Sequence, residues 1–215
     1  MGVKYFCLSF SNFRVNISIY LIILLSPPPL TEKLNASHIM SNPVKVLKEV
    51  ENVGKIYNLL KETKFHGFPV VDDYNPDDPQ YEGTYGILKG LILRDQLLTL
   101  LKKKKYLPNT PELTSNDFRE TYPRYLTLEE VDISDEELNY DLDLRPYMNL
   151  SPYSLNESSN LPRIFRLFRG LGLRHLVIVN LNNRVVGMVS RIDIAKYRAH
   201  VSFKDTTIKQ LNIAL

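Results

Sequence analysis

The chain has one cysteine, no tryptophan and little net charge. The single cysteine, Cys7, can form neither an intramolecular disulfide nor a cysteine-rich zinc site, which agrees with a reducing compartment. The 27 basic residues nearly balance the 24 acidic ones, so the formal net charge is only +3. Such a balance gives no support to nucleic-acid binding. We therefore expect a protein without disulfides and without a nucleic-acid partner.

Sequence motifs for catalysis are also missing. There is no glycine-rich phosphate loop of the form G-x-x-x-x-G-K-S and no serine in a nucleophile elbow. The four histidines, His38, His66, His175 and His200, show neither an i,i+4 pair nor the carboxylate neighbour that is typical of a metal site. We expect no enzymatic activity and no bound metal.

Residues 1–30 are apolar but contain no run that could span a bilayer. Arg14 and Asn16 interrupt the segment and leave only 17–25 as an apolar core, whereas a span needs about 20 apolar residues. One interpretation is a signal peptide that starts with Lys4. No small-residue cleavage site follows the apolar core, which argues against that interpretation.

Two short apolar runs, 176–179 and 185–189, predict a pair of buried strands. Asn182 and Asn183 lie between the runs, and asparagine is favoured in tight turns because it tolerates positive φ. The two strands are therefore predicted to form a hairpin.

A helix is predicted directly after this hairpin. Ser190 stands three residues before Asp193, which is the spacing of a capping box at a helix start. The amphipathic segment that follows ends near His200. The whole unit is therefore strand, turn, strand and helix.

The same unit occurs earlier in the chain. In both copies it is preceded by a short segment that we call the lead-in (40–44 in the first copy, 148–153 in the second) and by an amphipathic helix. Each copy has too few strands to close a core alone, so the predicted fold is α+β, with two β-α-β-β-α repeats forming one pseudo-two-fold module. The matching segments are 40–44 with 148–153, 67–72 with 175–180, and 90–97 with 187–194. The predicted apolar faces of the helices are Val53, Ile56, Tyr57 and Leu60 in the first copy, and Leu161, Ile164, Phe165, Phe168 and Leu171 in the second.

Two polar segments separate these elements. Residues 73–85 contain two prolines and several acids, so we expect a surface loop. Residues 107–146 form a proline-broken linker with eight acids and no base between Glu129 and Asp143, which predicts an exposed, partly mobile chain. Proteases are expected to cut the chain first between Leu126 and Asp143. Its aromatic residues are predicted to dock one part of it on a domain; they are Phe118, Tyr122 and Tyr125.

The repeats, together with DFRETYPRY (117–125), YMNLSPYSL (147–155) and LFRGLGLRHLVIVN (167–180), resemble the paired CBS domains in the cytosolic tail of CLC chloride channels and chloride/proton exchangers. The sequence of these segments is most similar to the lysosomal and late-endosomal branch of that family. The resemblance covers residues 38–200. It implies a regulatory module on the cytosolic face of an endolysosomal membrane, which binds ATP or another adenine nucleotide and modulates chloride transport.

The resemblance also implies partners and domain boundaries. The ion pathway would lie in a membrane domain of the same transporter, and the full-length protein would be a homodimer. The expected segments are 1–30 as the end of a membrane domain, 31–106 as CBS domain 1, 107–143 as the linker, 144–200 as CBS domain 2 and 201–215 as a C-terminal tail.

The resemblance further implies a nucleotide site. Asp193 matches the aspartate that accepts hydrogen bonds from ribose hydroxyls, and Ser190 and Arg191 lie near where phosphates would bind, at a helix start. Phe65 and His66 match the pair that lines the adenine pocket, the first by stacking and the second through its backbone.

Each of these residues also has a structural alternative. Asp193 is where a capping acid belongs, and Phe65 can seal the end of the preceding helix. His175 is expected to be a packed strand residue. In the first copy Leu93 and Gln96 stand at the positions of Ser190 and Asp193, so that copy lacks the ribose carboxylate.

A run of four lysines, Lys102, Lys103, Lys104 and Lys105, ends the first copy. The simplest interpretation is a solvated helix end, where cations suit the helix dipole. A contact with anionic lipid headgroups or phosphates is the second interpretation. The acidic linker also allows intramolecular pairing, although exposed ion pairs contribute little.

Two other function classes stay open at this point. One is a free-standing CBS protein that senses nucleotide and regulates an enzyme or transporter; a membrane domain encoded upstream would argue against it. The other is a secreted protein, which predicts glycans on Asn35 and Asn156, in the N-x-S sequons 35–37 and 156–158.

Overall fold

A computed structural model describes residues 34–72, 74–75, 77–120, 124, 126–195, 197–201 and 206–210. The predictions for residues 1–30 lie outside this part of the chain. Among the described residues, no helix has the length and apolar character needed to cross a bilayer. The described residues divide into two compact units. The smaller unit is drawn from Met1–Ser41, Glu157–Leu176 and Val189–Leu215, and the larger unit from Asn42–Asn156 and Val177–Met188.

The larger unit contains the complete first repeat. Its central sheet has the order β1-β3-β4, in which β1 is parallel to β3 and β3 is antiparallel to β4. This arrangement confirms the predicted β-α-β-β-α unit. Its elements are β1 (Leu47–Lys48), β2 (Val50–Asn52), α2 (Val53–Glu62), β3 (Gly67–Val71), β4 (Leu88–Leu93) and α3 (Arg94–Lys102), and a short helix α1 (Ala36–Ile39) precedes them in the smaller unit.

Helix α2 begins and packs as its sequence predicts. The Asn52 side chain accepts from the backbone N–H of Lys55 at 3.1 Å and so satisfies one of the free amides of the first turn. Val53, Ile56 and Leu60 are buried, and Tyr57 is half-buried. The four leucines of α3 (Leu97, Leu98, Leu100 and Leu101) are buried in the same core.

The described residues of the 73–85 insertion form a surface loop, as predicted, and this loop is held to the larger unit. The Tyr74 ring meets the Tyr81 ring edge-on at 5.1 Å, and the Arg184 guanidinium lies 5.1 Å above the Tyr81 ring. At its end, Tyr85 N–H donates to the Val185 carbonyl at 2.8 Å. The loop therefore packs on the hairpin of the second repeat.

The second repeat forms a sheet of order β6-β7-β8, with β6 (Ser154–Asn156) parallel to β7 (His175–Val179) and β8 (Val185–Ser190) beside β7. Asn183 has a φ of 57° in the turn between β7 and β8. The Asn180 side chain accepts from the N–H of Asn182 and of Arg184 at 2.9 and 3.0 Å. The predicted asparagine turn and hairpin are confirmed.

Helix α4 (Leu161–Leu171) lies in the smaller unit. Asn160 caps it by accepting from the Arg163 N–H at 3.1 Å. Four of the five predicted face residues are buried: Leu161, Ile164, Phe165 and Phe168. Leu171 is 49% exposed, so its assignment to the buried face is wrong. The helix ends there, because Gly172 adopts a left-handed conformation and turns the chain away.

The last predicted helix is shorter than expected. Helix α5 covers only Arg191–Ala195, and β9 (Tyr197–Val201) follows and pairs antiparallel with β10 (Thr206–Gln210). The predicted helix to His200 is therefore wrong. Both strands are rich in residue types that favour strands, namely tyrosine, valine, threonine and isoleucine. The helix was predicted from a segment that ends near His200, so the partner strand β10 was not considered.

The linker is less exposed than its composition predicts. Val131 and Leu142 are only 7% and 1% exposed and belong to the core of the first repeat. Strand β5 (Asp141–Asp143) pairs antiparallel with β2, and two 3₁₀ helices, Leu128–Glu130 and Glu137–Asn139, precede it. Phe118 lies 6.3 Å from the Tyr147 ring, as expected of a docked aromatic residue; Tyr122 and Tyr125 lie outside the described residues.

The four lysines at the end of α3 bind this linker. Lys104 Nζ lies 2.8 Å from Glu137 Oε1, Lys103 Nζ lies 2.9 Å from Glu120 Oε2, and Lys102 Nζ lies 3.9 Å from Glu130 Oε2. Lys105 Nζ donates to the carbonyls of Thr110 and Pro111 at 3.2 and 2.9 Å. Intramolecular pairing is therefore confirmed, whereas a lipid contact of these lysines stays a prediction.

These ion pairs make the linker sensitive to acid. The hydrogen bond from Lys104 lowers the pKa of Glu137 below its ordinary value of 4.5, so the folded state binds this proton less readily than the unfolded state does. The stabilising contribution is complete above pH 4.5 and is lost as the pH falls through the lowered value. We expect the urea midpoint to change little between about pH 7 and pH 5 and to fall at lower pH.

Two glutamine variants separate this pair from general acid effects. Glu137→Gln should flatten the fall in the urea midpoint below pH 4.5, because the variant has no carboxylate to protonate. Glu136→Gln, at an exposed neighbour, should follow the wild-type curve. Equal slopes for wild type and Glu137→Gln would contradict this assignment.

Candidate functional site

Asp193 lies in the smaller unit, where β8 meets α5. Its side chain is only 4% exposed. Oδ2 accepts from the Ser190 backbone N–H at 2.8 Å and from the Ser190 hydroxyl at 2.6 Å, while Oδ1 accepts from the Ser41 hydroxyl at 2.9 Å. The bond to the backbone of Ser190 is the capping contact that the spacing predicts. The two hydroxyls show that the same carboxylate can hold two O–H donors at once.

Ser41 was not among the predicted site residues. It lies just beyond helix α1, is exposed to solvent, and reaches Asp193 across 152 residues of sequence. Its only sequence signal is its place in the lead-in 40–44, which recurs before the second repeat. A serine hydroxyl carries no motif of its own, so its role follows from the fold alone.

The guanidinium of Arg191 contacts backbone carbonyls. Nε donates to Leu173 O at 2.8 Å and Nη2 donates to Gly172 O at 2.7 Å, at the end of helix α4. Arg94 makes the matching contact in the first repeat, where its Nη1 and Nη2 donate to Thr63 O and Leu60 O at 2.8 and 2.7 Å. The arginine of both repeats therefore closes the C-terminus of the preceding helix.

Phe65 and His66 lie in the larger unit, after the end of α2. The Phe65 ring is 49% exposed, so it does not seal the helix end as a buried contact would. His66 is also exposed, and its carbonyl accepts from the Arg94 N–H at 3.0 Å. An aromatic ring with an open face can stack on a flat ligand.

The structure thus brings part of the predicted set together. Ser190 and Asp193 share hydrogen bonds, and Arg191 directs its guanidinium to the end of α4. Phe65 and His66 belong to the larger unit. His175, at the start of β7, is half-buried in the strand, as expected of a packed residue.

The equivalent position of the first repeat has no carboxylate. Gln96 Oε1 accepts from the Leu93 N–H at 2.9 Å, and Gln96 Nε2 donates to Tyr147 O at 3.0 Å. A Cβ atom added to Gly90 would lie 2.7 Å from Met148 Sδ, which shows how closely the second lead-in covers β4. The Gln96 amide therefore caps the helix and bonds to Tyr147, and it offers no carboxylate to a ligand hydroxyl.

Two other kinds of site were considered among the described residues, a metal site and a cavity. No group of three or more histidine, cysteine or acidic residues among them could hold a metal ion. A cavity of about 560 Å³ in the larger unit is lined by residues of β1, α2 and the linker, including Lys45, Asn58 and Leu138. None of the predicted site residues lines it, so we do not assign the ligand to this cavity.

Comparison with known proteins identifies the repeats. The CBS domain family profile matches residues 36–103 and 143–200. The "H(+)/Cl(-) exchange transporter 7" of Mus musculus is 41% identical over 179 residues, which is 80% of this chain and 22% of that protein. The "Putative chloride channel-like protein CLC-g" of Arabidopsis thaliana is 35% identical over 202 residues, or 87% of this chain and 26% of that protein. The chain spans about a fifth to a quarter of these relatives.

Solved structures of CBS proteins are more distant. The CBS-pair protein CBSX2 from Arabidopsis thaliana is 21% identical, with 74% of this chain and 90% of that chain covered and a TM-score of 0.45. A CBS domain protein from Pyrobaculum aerophilum complexed with AMP is 16% identical, with 74% and 89% covered and a TM-score of 0.45.

Proposed function

Because this chain belongs to the CBS domain family and is homologous to part of the CLC-type proton/chloride exchange transporters, we propose that it is a regulatory module of such a transporter that binds an adenine nucleotide. Its partner is the membrane domain of the same transporter, which carries the anion pathway. The full-length protein acts as a homodimer, with this module on the cytosolic face of an endolysosomal membrane. Nucleotide binding modulates chloride transport.

The proposal depends chiefly on the Asp193 carboxylate. An ionised carboxylate only accepts hydrogen bonds, and this one accepts from two side-chain hydroxyls, on opposite oxygens, at 2.6 and 2.9 Å. Neighbouring hydroxyls of a ribose are donors of the same kind. The Ser41 hydroxyl is exposed, so a ribose hydroxyl can take its place on Oδ1 while Ser190 keeps its bond to Oδ2.

The other site residues have supporting roles in the proposal. Phe65 stacks on the adenine ring, and His66 contacts it through its backbone. Ser190 keeps the carboxylate in place. Arg191 acts as a positioning residue, because its guanidinium is bound to the end of α4; its contact with phosphates stays a prediction. The domain boundaries of 31–106 and 144–200 are proposed with the two family matches as support.

Calorimetric titration of the purified chain tests nucleotide binding. We expect ATP, ADP and AMP to bind with similar affinity, because the ribose and the adenine make the selective contacts. The 2′-deoxy form of ATP should bind about tenfold more weakly, since it loses one hydrogen bond to a charged group. Absence of binding heat at millimolar ATP would show that Asp193 has only a structural role.

A further inference from the structure

An exposed serine in the linker precedes the most acidic segment of the chain. Ser134 is followed directly by Asp135, Glu136 and Glu137, and the stretch from Glu129 to Asp143 contains no basic residue. Ser134, Asp135 and Glu136 are exposed. The serine lies in irregular chain before the 3₁₀ helix Glu137–Asn139. Its hydroxyl is therefore accessible and has three consecutive acids on its C-terminal side.

Protein kinases choose substrates partly by charge pattern, and a kinase with a basic substrate groove selects a serine that is followed by acids. We propose that Ser134 is phosphorylated by an acid-directed protein kinase and that Lys104 then holds the phosphate and tightens the linker. The kinase transfers the γ-phosphoryl group of ATP to Ser134 Oγ. The bond from the γ-phosphorus to the β–γ bridging oxygen breaks, the hydroxyl proton passes to the kinase base, and ADP leaves.

The contacts of Glu137 place Lys104 close to the new phosphate. The Ser134 N–H donates to Glu137 Oε2 at 2.9 Å, and the Glu137 N–H donates to Ser134 Oγ at 3.4 Å. Lys104 Nζ donates to both oxygens of the same Glu137 carboxylate, at 2.8 and 3.0 Å. One carboxylate thus separates the serine hydroxyl from an ammonium group.

A phosphate on Ser134 is a stronger acceptor than that carboxylate. It carries close to two negative charges and three acceptor oxygens. The three following acids repel it, whereas the Lys104 ammonium, which contacts the adjacent Glu137 carboxylate, attracts it through charge-assisted hydrogen bonds. Lys104 therefore shifts to the phosphate and keeps the linker on α3. The linker carries Val131 and Leu142 into the core of the first repeat, so this modification acts on the packing of that core. Neither Ser134 nor Lys104 belongs to the proposed nucleotide site.

Phosphorylation of the full chain tests the first step. The chain is incubated with ATP and casein kinase 2, an acid-directed kinase, and the products are mapped by mass spectrometry. We expect nearly complete modification of Ser134 and none of Ser158, an exposed serine that is followed by Ser159, Asn160 and Leu161. The double change Asp135→Asn with Glu136→Gln should slow the reaction at Ser134 at least about tenfold and leaves Glu137 in place. No modification of Ser134, or an unchanged rate in the double variant, overturns the proposal.

Hydrogen exchange tests the second step, after removal of nucleotide by dialysis. We expect the backbone amides of residues 131–142 to exchange about threefold or more slowly in the phosphorylated chain, because the linker opens less often. Lys104→Ala should abolish this difference, whereas Lys45→Ala, which changes an exposed lysine just before β1, should preserve it. Unchanged or faster exchange on phosphorylation, or a difference that persists in Lys104→Ala, overturns the role of Lys104.

Discussion

Replacing Asp193 with alanine is expected to weaken the binding of ATP, ADP and AMP by about tenfold to a hundredfold. Hydrogen bonds to a charged group contribute about 1.5–3 kcal/mol, and 1.4 kcal/mol corresponds to about tenfold in affinity. The alanine variant loses both carboxylate oxygens, including the Oδ1 atom that now accepts from Ser41. Calorimetric titration of wild type and variant measures the change.

The same substitution also removes a helix cap, so stability must be measured beside affinity. Loss of the acceptor for the Ser190 amide should lower the free energy of unfolding by about 1 kcal/mol. Asp193→Asn keeps one oxygen for that amide but loses the charge, and it should therefore lose affinity with little loss of stability. A lower melting temperature of Asp193→Ala with unchanged affinity would mean that the aspartate only caps.

The first repeat provides a matched control for this experiment. Gln96 occupies the equivalent position and bonds to Leu93 and Tyr147. Gln96→Ala should destabilise the protein by an amount similar to that for Asp193→Ala, on the order of 1 kcal/mol, because it also loses a capping acceptor. It should leave nucleotide affinity unchanged. A comparable loss of affinity in both variants would point to a general effect of weakened folding.

Local patterns were sufficient to predict much of this fold. The turn between β7 and β8 needs a residue that tolerates positive φ, and Asn183 supplies it. The buried faces of α2 and α4 follow from the 3.6-residue helical repeat. The match between the two repeats then predicts the paired architecture, because a unit with so few strands must bury its sheet against another. The turn and the helix faces depend on neighbours in sequence, and the pairing was predicted from the internal repeat.

The parts that could not be predicted depend on distant residues. A guanidinium can donate to a phosphate or to backbone carbonyls, and the bonds of Arg191 to Gly172 and Leu173 follow from the fold, which the local sequence does not indicate. The acidic composition of the linker predicted exposure, and its buried residues were therefore missed. Their burial depends on the pairing of β5 with β2, which lies about 90 positions earlier in the chain (Asn52 faces Asp141). The hydrogen bond from Ser41 to Asp193 likewise joins residues that are 152 positions apart in the chain.

The largest loss of stability is expected for Phe168→Ala in helix α4. Phe168 is 2% exposed, and truncation of a buried phenylalanine costs about 3–5 kcal/mol through lost burial and the remaining cavity. That is a large part of the 5–15 kcal/mol or so that stabilises an ordinary domain. Urea unfolding followed by circular dichroism should show a lower midpoint with a similar slope.

Leu171→Ala is the matched control, because both residues lie on the predicted apolar face of the same helix. Leu171 is 49% exposed and precedes the left-handed Gly172, so its truncation should cost less than about 1 kcal/mol. Similar losses for the two variants would mean that the buried face continues past Phe168. A small loss for Phe168→Ala would mean that α4 does not bury this face in solution. The difference between the two variants thus locates the end of the packed face without reference to any ligand.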